Sequence, residues 1–237
     1  DVLFDDTRNA GQDSISVVGE IDAANVSFNN SAAVTYSLYS ADATAKILGA
    51  GAIYKENVGE AIVGVNVEMA GGIIARGGFY TAYNPDGSVN AFGPKVTFEG
   101  GAIKINTVSV DNPTYAAPFD IHVAEGQTGS IVASRRINLT GKASGSGTLD
   151  LVSNGERDII DLTNGANWSE FSGQLNVLKG TDSTAYTPGF YGLVLQTDSS
   201  YVIGIDDTLG TGTISETGVD PMLAATKIHM GSGTTLG

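Results

Sequence analysis

Apolar and polar residues alternate along this chain in many short runs. DSISVVGEI, NVSFNN, AVTYSLYS, AIVGVNVEM, KVTFEG, AIKINTVSV, FDIHVA, RINLTG, TLDLV, DIIDL, GQLNVL, YGLVLQ and YVIGI are rich in Val, Ile, Thr and aromatic residues. In Ile103-Lys104-Ile105-Asn106 the period is two, which gives a strand one apolar face. Asp86-Gly87, Asn154-Gly155 and Asn164-Gly165 separate such runs with residues that tolerate the positive φ of tight turns. Helical spacing is scarce. In Val219 to Met230, Asp220 could cap a helix and Pro221 open it, but Met222, Leu223 and Ile228 make only part of a stripe. A short helix and an irregular loop both fit there. The pattern predicts an all-β protein.

Two recurrences bear on the architecture. GAGAIYKENVG (from Gly49), GSGTLDLVSNG (from Gly145) and GTGTISETG (from Gly210) each run Gly, small, Gly, then a small residue and Ile or Leu. VLFDD (from Val2), VSFNN (from Val26) and VTFEG (from Val96) share Val-x-Phe followed by polar residues, and the first two lie 24 residues apart. Repeats of roughly 20–45 residues mark stacked architectures. A parallel β-solenoid repeats its strand ends because each coil meets the same neighbours, so it is favoured over a β-sandwich, which remains the alternative. The Gly-x-Gly units are then corners. Leu149 and Leu151 should point inward and stack on Leu175 and Val177 of a neighbouring coil. At roughly 22 residues per coil the chain would make about ten coils, as a single solenoid domain or part of one. Gly78 to Lys95, GFYTAYNPDGSVNAFGPK, fits no repeat and reads as an insertion.

Composition narrows the setting. Only 16% of the 237 residues are charged, against 41% hydrophobic, so Ser, Thr, Asn and Gly must cover much of the surface. This favours a secreted or surface protein. The net charge of −14 repels nucleic acid and anionic lipid headgroups. With no cysteine, disulfides and thiolate metal sites are excluded. No apolar run approaches the ~20 residues of a membrane helix, and no basic segment followed by an apolar one opens the chain, so Asp1 reads as a processed start.

The segment from Ile137 to Gly180 carries a more specific pattern. Ser144-Gly145-Ser146-Gly147-Thr148-Leu149, Gly165-Ala166-Asn167-Trp168, Phe171-Ser172-Gly173 and Leu175-Asn176-Val177 occur in the order and spacing of the autotransporter-associated β-strand repeat. The chain thus resembles autotransporter passenger domains over about a fifth of its length. Gly155 to Asp158, GERD, departs from the family's Gly-Thr-rich turn. The resemblance implies a right-handed parallel β-helix on a bacterial surface, in a family of adhesins, autoaggregation factors and, less often, enzymes.

Catalytic chemistry finds little support. The two histidines, His122 and His229, sit in FDIHVA and TKIHM without a nucleophile elbow, and read as structural or surface residues. Glycoside cleavage needs paired carboxylates. Asp5, Asp6, Asp150, Glu156, Asp158, Asp161, Asp206 and Asp207 are candidates, and GERDIIDL with Arg135-Arg136 could supply the acids and base of a lyase. Solvated corner charges explain the same residues. No metal site or cofactor is implied, because GFYTAYNPDGS is too sparse in acids for a calcium loop. The sequons at Asn25, Asn29, Asn138 and Asn167 follow from composition.

Phe79, Tyr80, Tyr83 and Phe92 cluster in the expected insertion, with Tyr115 and Phe119 further on. Exposed, they would bind a glycan or a partner protein; folded back, they would be core. Val2, Phe4 and Leu236 would meet in head-to-tail self-association through unpaired end strands. The expected function is a non-catalytic extracellular scaffold in adhesion, self-association or fibre formation. Its partners would be itself or a cell-surface protein or glycan, without nucleic acid or membrane insertion. A polysaccharide-cleaving β-helix enzyme, lyase or hydrolase, is the alternative.

Overall fold

The computed structural model describes residues 1–7, 12–83, 89–106, 115–134, 137–153, 159–161 and 167–179, and short strands at 192–194, 203–205, 213–214, 226–230 and 235–236. The chain is all-β, and its parallel strands stack as a β-solenoid of about six turns. That is fewer than the about ten coils that a uniform 22-residue repeat predicts. The chain divides into two compact units, 1–108 and 109–237.

The first unit contains β1 (Val2–Asp5), β2 (Ser14–Val17), β3 (Glu20–Asp22), β4 (Val26–Asn29), β5 (Thr35–Ser40), β6 (Lys46–Gly49), β7 (Ile53–Lys55), β8 (Glu60–Gly64), β9 (Asn66–Met69), β10 (Ile73–Ala75), β11 (Phe79–Tyr83), β12 (Lys95–Phe98) and β13 (Ala102–Asn106). They form three sides: β1-β4-β7-β10-β12, β2-β5-β8-β11-β13 and β3-β6-β9. The Val-x-Phe repeat is a direct stack. Val2 lies opposite Val26 and Phe4 opposite Phe28, with the two phenyl rings 4.8 Å apart and nearly parallel. Val26, Ile53, Ile73 and Val96 continue one buried column. Coil length varies from 20 residues between Ile53 and Ile73 to 27 between Val26 and Ile53.

The second unit contains β14 (Tyr115–Ala117), β15 (Asp120–Val123), β16 (Thr128–Ser134), β17 (Ile137–Leu139), β18 (Lys142–Gly145), β19 (Thr148–Ser153), β20 (Ile159–Asp161), β21 (Asn167–Phe171), β22 (Gln174–Lys179), β23 (Gly192–Val194), β24 (Ile203–Ile205), β25 (Thr213–Ile214), β26 (Thr226–Met230) and β27 (Thr235–Leu236). Its sides are β15-β18-β21, β16-β19-β22-β26-β24 and β14-β17-β20-β23-β27-β25. Leu149 lies opposite Leu175 and Leu151 opposite Val177; Leu149, Leu151 and Leu175 are buried, as the alternation predicted.

Neighbouring strands within each unit pair in parallel, whereas a β-sandwich is built from antiparallel sheets. The helix allowed over 219–230 does not extend through 226–230: Thr226–Met230 is β26, seated between β22 and β24, where sheet pairing overrides weak helical spacing. Residues 219–225 lie outside the described residues. The insertion expected from Gly78 also begins too early. Phe79–Tyr83 is a regular rung between β8 and β13, and aromatic residues on both its faces hid the alternation.

The Gly-x-Gly units are corners, but not equivalent ones. Gly49 to Gly51 joins the third side to the first, while Gly145 to Gly147 joins the first to the second. What they share is backbone contact: a Cβ at Gly51 would lie 1.8 Å from the Ala24 carbonyl oxygen, and one at Gly145 would lie 1.9 Å from that of Val123. Of the third copy, only Thr213 and Ile214 are among the described residues.

Candidate functional site

Alternation along β5, β8, β11 and β13 sorts side chains cleanly. Tyr36, Leu38, Ala61, Val63, Tyr80, Ala82, Ile103 and Ile105 point inward and are buried. The intervening residues form the outer face of the second side. Tyr39 and Phe79 are 41% and 42% exposed there, with Tyr83, Ile62 and Lys104 half-buried. Thr81 lies among them and donates to Glu60 Oε1 at 2.5 Å. Extended strands in a hydrogen-bonded sheet hold these side chains, so the face needs little ordering on contact.

The four aromatic residues singled out in the sequence therefore separate. Phe79 and Tyr83 belong to the outer face. Tyr80 and Phe92 are fully buried, their rings 5.9 Å apart. The Tyr80 hydroxyl donates to the Ala91 carbonyl at 2.8 Å, and burial pushes its pKa up. These two rings are core, and their volume, together with a satisfied phenol, explains why. Phe119 is also buried; the Tyr115 side chain lies outside the described residues. Sequence reasoning missed Tyr39. The available signal was an aromatic at an outward position of an alternating strand, since Tyr36 and Leu38 point inward.

Among the described residues no group of three or more His, Asp and Glu side chains could hold a metal ion. The His122 imidazole meets the Ser144 hydroxyl at 3.0 Å on the outer face of β15 and β18. Glu170 lies opposite Ser144, so serine sits between histidine and acid, whereas a nucleophilic triad places histidine between the other two. Asp120, the acid on the histidine's own strand, accepts from the Lys142 backbone N–H at 2.9 Å. His229 lies opposite Asn176 in β26.

The candidate carboxylates are dispersed. Asp5 accepts from the Thr7 hydroxyl and backbone N–H, which hold its pKa below the usual carboxylate value. Asp6 accepts from Ser31 N–H. Asp150 accepts from Asn176 at 2.7 Å and from Ser130 at 3.5 Å. Asp161 lies opposite Asn138 in the stack. Glu156, Asp158, Asp206, Asp207, Arg135 and Arg136 lie outside the described residues.

At the start of the first unit, Val2 and Phe4 on β1 line an apolar cavity of about 350 Å³ with Ile15, Val17, Ile21 and Leu38. Leu3, Val18 and Ile21 are exposed nearby. Leu236 is different: β27 is flanked by β23 and β25, so its backbone is paired on both sides and presents no free edge. The end-strand role expected of Leu236 is therefore withdrawn. The chain returns to insert a late strand inside the sheet, which sequence order does not reveal.

Compared with known proteins, the chain matches no family model, and no curated protein and no solved structure is significantly similar to it. What stands is the architecture, a parallel β-solenoid.

Proposed function

We propose that this chain is a non-catalytic extracellular scaffold of a bacterial surface protein, of the autotransporter-passenger kind, that acts in adhesion. The observation that carries this reading is the outer face bearing Tyr39, Phe79 and Tyr83 on a hydrogen-bonded sheet. Exposed aromatic residues on a rigid support are a common basis for recognition. The Ser144 to Leu149 segment, which resembles the passenger repeat, adds support, because its glycines occupy a corner that excludes side chains. A second mode, self-association, would use the apolar cavity lined by Val2 and Phe4.

The test is adhesion. Beads carrying the 237-residue chain should bind bacterial or host cells, and the double variant Tyr39→Ala/Phe79→Ala should bind several-fold less while melting like the parent. The same protein should leave neutral and acidic polysaccharides intact, with and without calcium. Turnover of any of them would replace this reading with the polysaccharide-cleaving one.

A further inference from the structure

The first coil differs from the second in one respect: its inward side chains are uncovered. Phe28, Leu38 and Ile47 are at most 4% exposed. Their register partners one rung earlier are Phe4 and Ile15, which are half-buried, and Ile21, which is 40% exposed. Phe4, Ile15 and Ile21 line the apolar cavity of about 350 Å³.

The backbone around that cavity is also unpaired on one side. β1, β2 and β3 each stand last in their sheet. The Val2 N–H donates to the Asn25 carbonyl at 2.9 Å, and the Asp13 and Gly19 carbonyls accept from the Ser37 and Lys46 N–H groups at 2.7 and 3.0 Å. In a parallel ladder a residue bonds to one neighbour with both its backbone groups, and the next residue turns its groups the other way. Leu3, Ser14, Ser16, Glu20 and Asp22 therefore direct N–H and C=O groups to the side where no strand pairs with them among the described residues. An apolar cavity bounded by free strand edges is a template for one more rung.

Charge selects the rung. On the outer face of β1, Asp1 and Asp5 flank Leu3, which is 61% exposed. Asp6 follows β1, and β3 carries Glu20 and Asp22. Among the described residues the first coil has no lysine or arginine. Lys46, in the second coil, is engaged with Glu20 and Glu68 at 3.0 and 3.1 Å. A second copy docked first coil to first coil would set two acidic rims against each other, whereas a strand with cationic outward residues would be drawn in. Its inward residues must be apolar to fill the cavity.

We propose that the first coil binds an extended segment of a partner protein, of the pattern basic–apolar–any–apolar–basic, as an added rung on β1. The apolar residues lie under Val2 and Phe4, the cations lie beside Asp1 and Asp5, and Leu3 supplies the main-chain hydrogen bonds. The site is separate from the aromatic face on β5 and β11 and does not depend on the adhesive reading. It competes with self-association for the cavity.

The experiment is calorimetric titration of the 237-residue chain with three capped heptapeptides, SKVTVKS, SEVTVES and SKSTSKS. The first should bind, more weakly as salt is raised, and the other two should not. Leu3→Pro removes an N–H that the fold does not use, at an edge where proline is tolerated. It should weaken SKVTVKS binding about tenfold or more and leave the melting temperature within a few degrees of the parent. Asp5→Asn keeps an oxygen for the Thr7 hydrogen bonds; it should weaken binding roughly twofold to fivefold and flatten the salt dependence. Tyr39→Ala/Phe79→Ala should bind SKVTVKS as the parent does. No binding of SKVTVKS, equal binding of all three peptides, or binding indifferent to Leu3→Pro would overturn the site. If Leu3→Pro melts much lower, the three peptides on the parent and on Asp5→Asn decide the matter without it. Sedimentation reads the other occupant: a parent dimer that SKVTVKS does not dissociate and that Leu3→Pro abolishes would make a second copy the occupant and overturn the proposal.

Discussion

The interior column through Phe4, Phe28, Lys55, Ala75 and Phe98 has little in common with those through Leu149 and Leu175 or through Ile131 and Leu151. The first belongs to residues 1–108 and mixes aromatic, methyl and ammonium-bearing side chains in register. The others belong to residues 109–237 and are aliphatic apart from Gly129, which lies opposite Leu149. A parallel stack demands only that each rung fill the space left by its neighbours. In residues 1–108 the facing strands supply bulk: Tyr36 and Tyr80 pack against Phe28 at 6.3 and 6.4 Å. Size can then be traded between rungs. Where all rungs contribute similar aliphatic side chains, no trade is needed, and the sequence repeats visibly.

The largest expected effect comes from placing a charge in the uniform columns. Leu149→Asp puts a carboxylate against Leu175 with no cationic neighbour in register. Such a burial should cost at least about 4 kcal/mol. Thermal melting should show the variant unfolded or many degrees less stable, while Leu149→Ile should change little. A Leu149→Asp protein that melts with the parent would mean that the second unit's interior is not a closed apolar column.

The converse change in the mixed column should stabilise. Lys55 is buried, opposite Phe28 and Ala75, and its ammonium donates to the Asn57 carbonyl. Burial pulls its pKa down to about 8. The folded chain therefore holds the proton less tightly than the unfolded chain, whose lysine titrates near the ordinary value of 10.5. Between these values the unfolded state binds more protons, so stability rises with pH from about 8 to 10.5 and levels off above. Below about 8 the burial penalty is fully present, on the order of 3 kcal/mol before its hydrogen bond is counted. Lys55→Met should therefore raise stability at pH 7 by about 1–3 kcal/mol. The gain should shrink as pH rises, measured by urea denaturation of both proteins from pH 7 to 11. A difference that stays constant with pH would show that the ammonium reaches solvent in the folded chain.

These two columns also explain what could be read in advance. The fold class was legible because strands with period-two alternation and stacked Val-x-Phe ends need no long-range knowledge. Leu149 and Leu151 were legible for the same reason. Lys55 was not: a lysine in IYK looks outward until register places it under Phe28. The outer face was half legible. Aromatic clustering led to Phe79 and Tyr83, but also to Tyr80 and Phe92, whose burial depends on the facing strand and on the chain passing Ala91. Tyr39 shares a face with Phe79 and Tyr83 only through pairing between coils, which no local pattern contains. Leu236 failed because the order of strands at the end of the sheet departs from the order of the sequence.

The smallest expected effect lies on the outside of the mixed column, and it asks whether surface charges help hold that column in register. Glu56, Arg76 and Glu99 directly follow Lys55, Ala75 and Phe98, so each sits one step beyond the column on consecutive rungs. The Arg76 guanidinium bridges Glu56 at 2.9 Å and Glu99 at 2.7 Å, and lies 5.0 Å from the centre of the Tyr54 ring. The hydrogen bond with Glu99 leads the interactions that raise its pKa. The three side chains are 31–40% exposed, so screening limits the whole network to about 1 kcal/mol or less. Lysine cannot form the two-pronged contact or stack as a plane on Tyr54, so Arg76→Lys should lose nearly as much as Arg76→Ala. In the uniform column the corresponding outer contact is the Asn176 amide donating to Asp150 at 2.7 Å, and a single hydrogen bond with an uncharged donor responds less to salt. Melting curves at low and high ionic strength separate the two cases. Salt should erase most of the difference between Arg76→Ala and the parent while leaving that of Asn176→Ala largely in place. Equal salt responses would show that the charged ladder is an accident of exposed side chains and that the mixed column keeps its register without it.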